Sequence, residues 1–363
     1  MYDVGIIGTG PAGVTLARLL GKRFKVLLIG DHRRKCCGGI LSPEAQNMLG
    51  KLDLAVPKEV LVNPQPFSVA VLDTATRMVR HYQRQYVNIN RAAFDDWLLS
   101  LVPKSVDVRI PCCFEDLALG YHPPDTTLLV YFTDKRGNKH SAQVKLLVGA
   151  DGANSIVRTC GLYLGNARLP KEYIALQDWY AAEEVKISNP LIDFWNDYTG
   201  VFDTELTDFY AWTIPKDDVL LVGGAIPKQK ECRKRFERFK EKMSDFGLQL
   251  GKPFRREAGA IFRPLSNKSI SLGMEQYGSI ALIGEAAGLI SPSSAEGISF
   301  ALASAFALSE SFLPDGRFSL RLYEKNVNPL LWKIFFRQFK IPAMFNPILR
   351  KWIMKGSVRN LLI

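Results

Sequence analysis

The clearest pattern of hydrophobic and polar positions lies in the first thirty residues. Residues 3–7 form an apolar run with the length of a buried strand, residues 8–13 form a glycine-rich break, and residues 14–20 return apolar side chains at helical spacing. A second apolar run of strand length covers residues 24–29. The pattern therefore predicts a strand, a tight turn, a helix and a second strand, which together form a βαβ unit.

Two later segments repeat this change from an apolar strand to a turn. An apolar run at residues 146–150 stops at Asp151-Gly152, and a run at residues 279–283 stops at Gly284-Glu285 before a helix of small residues over 295–312. The segments between them indicate strands and a second, mixed domain. Strands are predicted over residues 67–90, an antiparallel meander over 106–147, and helices over 43–49, 90–99 and 228–246.

The glycine turn at residues 8–13 has the spacing of a dinucleotide-binding fingerprint. Gly8 makes the turn, Gly10 lets a pyrophosphate approach the backbone, and Gly13 lets the helix pack closely on the strand. The amides at the helix start, with the positive end of the helix dipole, then hold the phosphates. A glycine stands where an acidic residue normally holds the ribose, and Asp31 follows it as a substitute. The spacing alone leaves NAD, NADP and FAD open.

Length and composition are those of a globular protein of about two domains. The chain has 363 residues, of which 47% are hydrophobic and 23% charged. Because no apolar run reaches membrane-spanning length and no signal peptide is visible, we expect a cytoplasmic location. The six cysteines form two adjacent pairs and two single residues without metal-ligand spacing, which argues against a structural metal and fits a reducing compartment.

Most of the formal net charge of +11 lies in the last part of the chain. Residues 317–363 contain ten Lys and Arg and one Glu, which gives +9. Aromatic and aliphatic residues alternate with these charges, a mixture typical of basic amphipathic helices at the inner, anionic face of a membrane. A helical tail that packs its apolar face on the body explains the pattern equally well. We expect no nucleic-acid partner, because no recognised nucleic-acid module is present.

The three strand-to-turn segments together resemble the FAD domain of the p-hydroxybenzoate hydroxylase-like flavoproteins, a class that includes squalene epoxidase and the geranylgeranyl reductases. The resemblance implies that the first turn holds the pyrophosphate, that Asp151-Gly152 lies beside it, and that Glu285 replaces the usual aspartate on the ribityl chain. Within this class, the chain most resembles the geranylgeranyl reductase family, and this resemblance covers nearly the whole chain. The motifs that narrow it lie at residues 35–39, 91–95, 210–215 and 284–298.

The family resemblance implies an α/β fold and a flavin chemistry. The implied activity is reduction of carbon–carbon double bonds of a polyprenyl substrate by hydride transfer from FAD. No second nucleotide motif identifies the reductant, so a ferredoxin, a quinol and NAD(P)H stay open. The implied parts are a three-layer, Rossmann-like FAD-binding domain (1–66, 88–165 and 266–312), a discontinuous α+β antiparallel-sheet substrate domain (67–87 and 166–265), and a basic amphipathic helical tail (313–363).

The candidate site residues come from these motifs. Cys37, beside two glycines, is the candidate catalytic residue, although a small packing residue fits the same position. Tyr210, Trp212 and Pro215 are the candidates for substrate binding, with core packing as the alternative. No metal ligands are expected. The predicted cofactor-binding residues are Gly8, Gly10, Pro11, Ala12, Gly13, Asp31, Cys37, Gly38, Gly39, Arg91, Asp151, Gly152, Gly284, Glu285, Ala286, Gly288, Pro292, Gly297 and Ile298.

Three other functions share these motifs. A flavin-dependent monooxygenase has the same FAD motifs but activates oxygen. A flavin halogenase carries a W-x-W-x-I-P motif that residues 210–215 approach, with a tyrosine in place of the first tryptophan. A protein that binds a polyprenyl lipid without catalysis, and keeps FAD as a structural group, is the alternative from outside the enzymes.

Overall fold

The computed structural model describes residues 1–31, 35–122, 125–160, 171–266, 269–275 and 279–356. The predicted domain boundary at residues 165–166 and the end of the basic tail, residues 357–363, lie outside the described residues. The predicted fold class is confirmed: the chain forms an α/β structure with two main sheets, one of them built around parallel strands and the other mostly antiparallel.

The strands are numbered in chain order. They are β1 (Tyr2–Ile7), β2 (Val26–Ile29), β3 (Ile40–Leu41), β4 (Ser68–Asp73), β5 (Met78–Gln83), β6 (Val87–Asn88), β7 (Asp107–Arg109), β8 (Cys112–His122), β9 (Asp125–Asp134), β10 (Lys139–Gly149), β11 (Lys171–Ala181), β12 (Val185–Ile187), β13 (Tyr198–Phe202), β14 (Ala211–Lys216), β15 (Val219–Pro227), β16 (Leu248–Leu250), β17 (Arg255–Arg263), β18 (Gly273–Met274) and β19 (Ser279–Leu282).

The helices are numbered in the same way. They are α1 (Pro11–Leu20), α2 (Pro43–Lys51), α3 (Arg91–Ser100), α4 (Ile156–Cys160), α5 (Cys232–Lys242), α6 (Ile298–Ser309), α7 (Leu320–Phe345) and α8 (Pro347–Lys355). A 3₁₀ turn, Gly284–Ala287, follows β19 at the third of the predicted strand breaks.

The first sheet has a parallel centre in the order β19-β10-β1-β2-β7. β1 lies in the middle, and its last four residues are buried, as expected for a strand covered on both faces. The predicted meander is only partly correct. β7 joins the parallel sheet beside β2, whereas β8, β9 and the first half of β10 pair antiparallel. The second half of β10 pairs with β1 and β19, so one strand belongs to both arrangements.

Helices α1 and α6 pack against each other over the parallel sheet. Leu16 of α1 and Phe300 and Leu302 of α6 are buried in the same core as the strand residues, and Val130 and Phe132 of the meander complete it. The carboxyl ends of β1, β10 and β19 therefore meet at one edge, where each strand runs into its glycine-containing turn.

The second sheet has the order β17-β11-β15-β14-β13-β4-β5. β4 and β5 reach it from early in the chain, and β4 pairs parallel with β13. Its two faces have different neighbours. Phe236 and Phe239 of α5 pack on one face. On the other face, Trp212 and Ile214 pack with Cys36 of the first domain.

The C-terminal helices hold the two parts together. Tyr323, Val327 and Ile334 of α7 are buried in the first core. Met344 of α7 and Met354 of α8 are buried against β4 and β13 of the second sheet. The tail is therefore helical and packs on the body. Within the described part of the chain, no helix combines the length and the apolar character needed to cross a bilayer.

Candidate functional site

A cavity of about 1350 Å³ lies between the first domain and the inner face of the second sheet. Pockets that hold a drug-sized ligand measure roughly 300–1,000 Å³, so this cavity has room for a dinucleotide and part of a second ligand. Its walls come from the turns after β1, β10 and β19, from the loop between β2 and β3, and from strands β11, β14 and β17.

Most of the predicted site residues line this cavity, and a smaller group does not. Those outside the lining are Gly13, Pro215, Gly284, Ala286, Gly288 and Pro292. Those that line the cavity are Gly8, Gly10, Pro11, Ala12, Asp31, Cys37, Gly38, Gly39, Arg91, Asp151, Gly152, Tyr210, Trp212, Glu285, Gly297 and Ile298.

The turn between β1 and α1 is shaped by its glycines. A Cβ on Gly8 would lie 2.3 Å from the backbone oxygen of Ala150, and one on Gly13 would lie 1.9 Å from the backbone oxygen of Gly8. A Cβ on Gly10 would meet no protein atom within 4 Å, because this residue borders the cavity. No described side chain caps the start of α1 at Gly10, which leaves the first amides of the helix for an anionic ligand.

Asp151 lines the cavity and has one carboxylate oxygen without a partner in the described part of the chain. Its Oδ2 accepts hydrogen bonds from the amides of Ile156 (2.7 Å) and Val157 (3.2 Å), so this oxygen caps α4. Its Oδ1 is buried and has no hydrogen-bond partner among the described residues. Burial raises the pKa of the Asp151 carboxyl. A buried acceptor of this kind requires a donor, and the hydroxyl groups of FAD are donors of the right chemistry.

Glu285 makes contacts that the family resemblance does not predict. Its carboxylate forms an ion pair with Lys35, and its Oε1 accepts a hydrogen bond of 3.2 Å from the amide of Phe262. Nearby, Arg158 donates to the backbone oxygens of Ala286 (2.9 Å) and Ala153 (2.6 Å). Arg158 therefore joins the second and third strand-to-turn segments, and Ala286 serves through its backbone rather than in the wall.

Helix α6 points its N-terminal end at the cavity. Gly297 is its N-cap, and Gly297 and Ile298 both line the wall. Glu296 Oε1 accepts hydrogen bonds from Ser42 Oγ (2.9 Å) and from the amide of Ser299 (3.2 Å). The helix start is thus held in place, with the positive end of its dipole towards the ligand space.

The loop between β2 and β3 places two cysteines differently. Cys36 is buried, and burial raises its pKa to about 12. Cys37 is half-buried on the cavity wall, and its Sγ accepts a hydrogen bond of 3.4 Å from the amide of Gly39. A Cβ on Gly38 would lie 2.3 Å from Ile214 Cδ1, so this glycine lets the loop press against the second sheet. In the described part of the chain, no cluster of His, Cys, Asp or Glu could hold a metal ion.

Lys216, which the sequence analysis missed, fixes this loop from behind. Its Nζ donates hydrogen bonds to the backbone oxygens of Gly39 (2.9 Å) and Ile89 (2.8 Å) and to Asn88 Oδ1 (2.5 Å). Three acceptors match the three donors of an ammonium group. Burial lowers the pKa of Lys216 to about 7. The available signal was a lysine at the end of a strand in which Thr213 is the other polar residue.

Arg91 follows directly on the segment that Lys216 holds. It is the first residue of α3, and its Nε lies 3.0 Å from Asp95 Oδ1 on the next turn. Although burial opposes the charge, the Asp95 carboxylate raises the pKa of Arg91. Arg91 therefore stays charged, and both residues line the cavity.

The far end of the cavity is aromatic. The rings of Tyr210 and Trp212 lie 5.7 Å apart, and those of Tyr86 and Tyr198 lie 5.8 Å apart. Tyr210 precedes β14 by one residue, and its hydroxyl donates to the backbone oxygen of Ser294. Burial raises the pKa values of Tyr198 and Tyr210, so both hydroxyls are neutral. This end offers an apolar, uncharged wall to a ligand.

Basic residues surround the mouth at that end. Arg337 pairs with Glu44 (2.9 Å) and Glu296 (3.2 Å), which ties α7 to α2 and to the start of α6. Lys333 and Lys340 of α7 also line the opening, as does Arg84. Burial and the neighbouring charges of Arg337 and Arg84 lower the pKa of Lys340. Arg84, Lys333 and Lys340 therefore add positive charge to a lining in which Arg337 is paired with two carboxylates.

Comparisons with known proteins identify similar chains. No family model matches. Protein CbrA of Escherichia coli O9:H4 (strain HS) is 38% identical over 368 residues, which cover 99% of this chain and 94% of that protein. Among solved structures, a geranylgeranyl bacteriochlorophyll reductase-like protein from Thermoplasma acidophilum aligns with a TM-score of 0.72 and 17% identity, over 98% of both chains.

Two further solved structures extend the similarity of fold. PqsL, a probable FAD-dependent monooxygenase from Pseudomonas aeruginosa, aligns with a TM-score of 0.68 and 17% identity over 98% of both chains. The halogenase PltM, solved in complex with FAD, aligns with a TM-score of 0.68 and 14% identity over 95% of this chain and 76% of that chain. At such identities, what these proteins share with the present chain is the fold.

Proposed function

This chain belongs to the family of Protein CbrA and has the fold of FAD-dependent flavoproteins, and from that premise we propose that it reduces carbon–carbon double bonds of a polyprenyl lipid. The observation that carries the proposal is the cavity. One end has the glycine turn and uncapped helix start suited to a dinucleotide, and the other is lined by aromatic rings that a dinucleotide does not require.

The residues present fit FAD. Gly10 and the start of α1 would receive the pyrophosphate, and Asp151 Oδ1 would accept a hydrogen bond from a hydroxyl of the cofactor. The N-terminal amides of α6, at Gly297 and Ile298, suit an edge that gains negative charge on reduction. FAD, when bound, would supply the redox chemistry of the site, which is the transfer of a hydride to one carbon of the double bond.

The chain itself must position the lipid and supply a proton. The aromatic wall around Tyr210 and Trp212 excludes water and holds an apolar chain by contact alone, because the tyrosine hydroxyls there are neutral. Addition of hydrogen to a double bond needs a proton on the second carbon. We assign the proton-holding role to Cys37 Sγ. Both cysteines line the cavity, but Cys37 is only half-buried, whereas Cys36 is buried and burial raises its pKa to about 12.

The test is turnover without oxygen. The purified yellow protein is reduced with dithionite under nitrogen and mixed with a detergent-solubilised polyprenyl alcohol. The lipid is then extracted, and its mass is measured by mass spectrometry. We expect a gain of two hydrogens with the natural chain and with Cys37→Ser, and a large loss of rate with Cys37→Ala. Lipid of unchanged mass over reduced, FAD-loaded protein would refute the reductase proposal.

A monooxygenase is the second candidate, because PqsL has nearly the same similarity of fold as the reductase-like protein. The same assay in air separates the two: the lipid then gains one oxygen atom if the monooxygenase is correct. Dithionite replaces the physiological reductant, which we propose to be a ferredoxin, a quinol or NAD(P)H. Each is tested by whether it bleaches the bound flavin without oxygen.

A further inference from the structure

Helices α7 and α8 expose large apolar side chains in a pattern that packing on the body does not explain. Trp332 and Phe339 of α7 and Trp352 of α8 are between 53% and 72% exposed. On α7, the rings of Trp332, Phe335, Phe336 and Phe339 touch one another in a continuous row. The opposite side of the same helix is the buried one, where Val327 and Ile334 lie in the core.

The charges around this row have one sign. Lys333, Lys351 and Lys355 are exposed, and Lys340 lies one residue beyond Phe339. Within the described residues 317–356, the acidic residue is Glu324, two turns before Trp332. The positive charges that pack inward are accounted for separately: Arg337 and Arg350 are paired with carboxylates of the body. The exposed charge of the two helices is therefore almost wholly positive.

The exposed row reaches the opening of the cavity. Phe336 belongs both to the row of rings and to the cavity lining, and Lys333 and Lys340 line the opening on either side of it. This face of α7 therefore borders the cavity directly.

We propose that the docking face, defined as Trp332, Phe336, Phe339 and Trp352 with Lys333, Lys340, Lys351 and Lys355, binds the surface of an anionic lipid bilayer. Tryptophan is enriched at the interface of a membrane with water, and lysines near a negatively charged leaflet add to binding. A protein partner fits less well, because the centres of protein–protein interfaces are depleted in lysine. If the proposed function is correct, a polyprenyl substrate enters the cavity from the bilayer along Phe336.

The experiment compares matched variants of the FAD-loaded full chain. Sedimentation is measured with vesicles of phosphatidylcholine alone and of phosphatidylcholine mixed with phosphatidylglycerol, without substrate. We expect the natural chain to sediment with the mixed vesicles only. The triple variant Trp332→Ala, Phe339→Ala, Trp352→Ala should bind at least about tenfold more weakly, because three apolar side chains no longer enter the interface.

The control variant removes as many exposed apolar side chains from elsewhere. Phe67, Leu191 and Phe254 are between 61% and 84% exposed and lie outside α7 and α8. Their triple replacement by alanine should leave sedimentation unchanged. Retained FAD absorbance and an unchanged unfolding midpoint show that each variant is folded.

Three outcomes would overturn the proposal. The first is that the natural chain does not sediment with vesicles, and the second is that the two triple variants sediment equally. The third is that the natural chain is a dimer and only the α7–α8 triple variant is a monomer, because the face would then be an interface between two copies. Turnover of detergent-solubilised lipid is measured in parallel, since the three replaced residues of the docking face do not line the cavity. Vesicle binding without turnover would refute the proposed reaction and keep the docking face. Turnover without vesicle binding would refute the docking face and keep the proposed reaction.

Discussion

Replacement of Arg350 by methionine tests how firmly the C-terminal helices are attached. Arg350 and its partner Asp73 are both buried, and Arg350 Nε lies 2.8 Å from Asp73 Oδ2. Arg350 Nη1 also donates to the backbone oxygen of Met344 (2.9 Å), and the guanidinium lies 4.7 Å from the ring centroid of Phe202. This one side chain therefore joins α8, the end of α7 and the second sheet.

The size of the effect follows from what the change leaves behind. Removing one partner of a buried ion pair costs about 3–5 kcal/mol, because the other charge stays in a poorly solvated place. In Arg350→Met, the Asp73 carboxylate keeps one hydrogen bond, from the amide of Ala75 at 3.0 Å. We expect the free energy of unfolding to fall by about 3–5 kcal/mol. Asp73→Asn added to Arg350→Met removes the stranded charge, so the double variant should lose less than the sum of the two single changes, by about 1–3 kcal/mol.

The assay is urea unfolding followed by tryptophan fluorescence, at a fixed and saturating FAD concentration because a bound ligand adds to apparent stability. Arg317→Met is the control: its ion pair with Asp315 is exposed, so the loss should stay below about 0.5 kcal/mol. A loss of under about 1 kcal/mol for Arg350→Met, or strictly additive single changes, would refute the view that this pair locks the tail to the body.

Three other predictions concern the cavity. Gly10→Ala should fold normally but raise the FAD dissociation constant at least about tenfold in a fluorescence titration, whereas Gly13→Ala should yield little folded protein because its Cβ meets a backbone oxygen at 1.9 Å. Lys216→Met should speed alkylation of Cys37 by iodoacetamide about tenfold by freeing the loop, and Lys240→Met, which removes a buried lysine from the other face of the second sheet, should not. Burial lowers the pKa of Lys216 from 10.5 to about 7. Between pH 7 and pH 10.5, the unfolded chain therefore binds this proton more strongly than the folded chain does. Stability of the natural chain relative to Lys216→Met should therefore rise from pH 7 towards 10.5, by at most about 1.4 kcal/mol per pH unit, and a flat difference would show an unshifted lysine.

Elements defined by neighbouring residues were predictable from the sequence. The unit β1–α1–β2 was expected because its apolar spacing, glycine turn and length all lie within thirty residues. Strand partners were not. β7 was assigned to the meander, yet it pairs with β2, and β10 divides its length between β9 and β1. Those pairings depend on contacts between residues far apart in the chain, which no local period records.

The candidate site divides in the same way. Glycines and Asp151 stand in motifs whose spacing reflects a local turn, and the structure places most of them on the cavity wall. Lys216 and Arg158 were missed, and Lys35 of the motif at residues 35–39 received no role, because each acts on an element distant in sequence, two of them through backbone oxygens. A backbone oxygen is present at every residue, so the sequence carries no mark of the partner.

The tail shows why two interpretations of one amphipathic pattern need not exclude each other. The number of apolar residues in 317–363 does not reveal whether they lie on one side of a helix or on two. In α7, Tyr323, Val327 and Ile334 recur at spacings of four and seven and fill the buried side. Trp332, Phe336 and Phe339 recur at four and three on another side and stay exposed. One helix therefore has enough apolar residues both to pack on the body and to present a second apolar surface, and it is this surplus that packing alone leaves without a role.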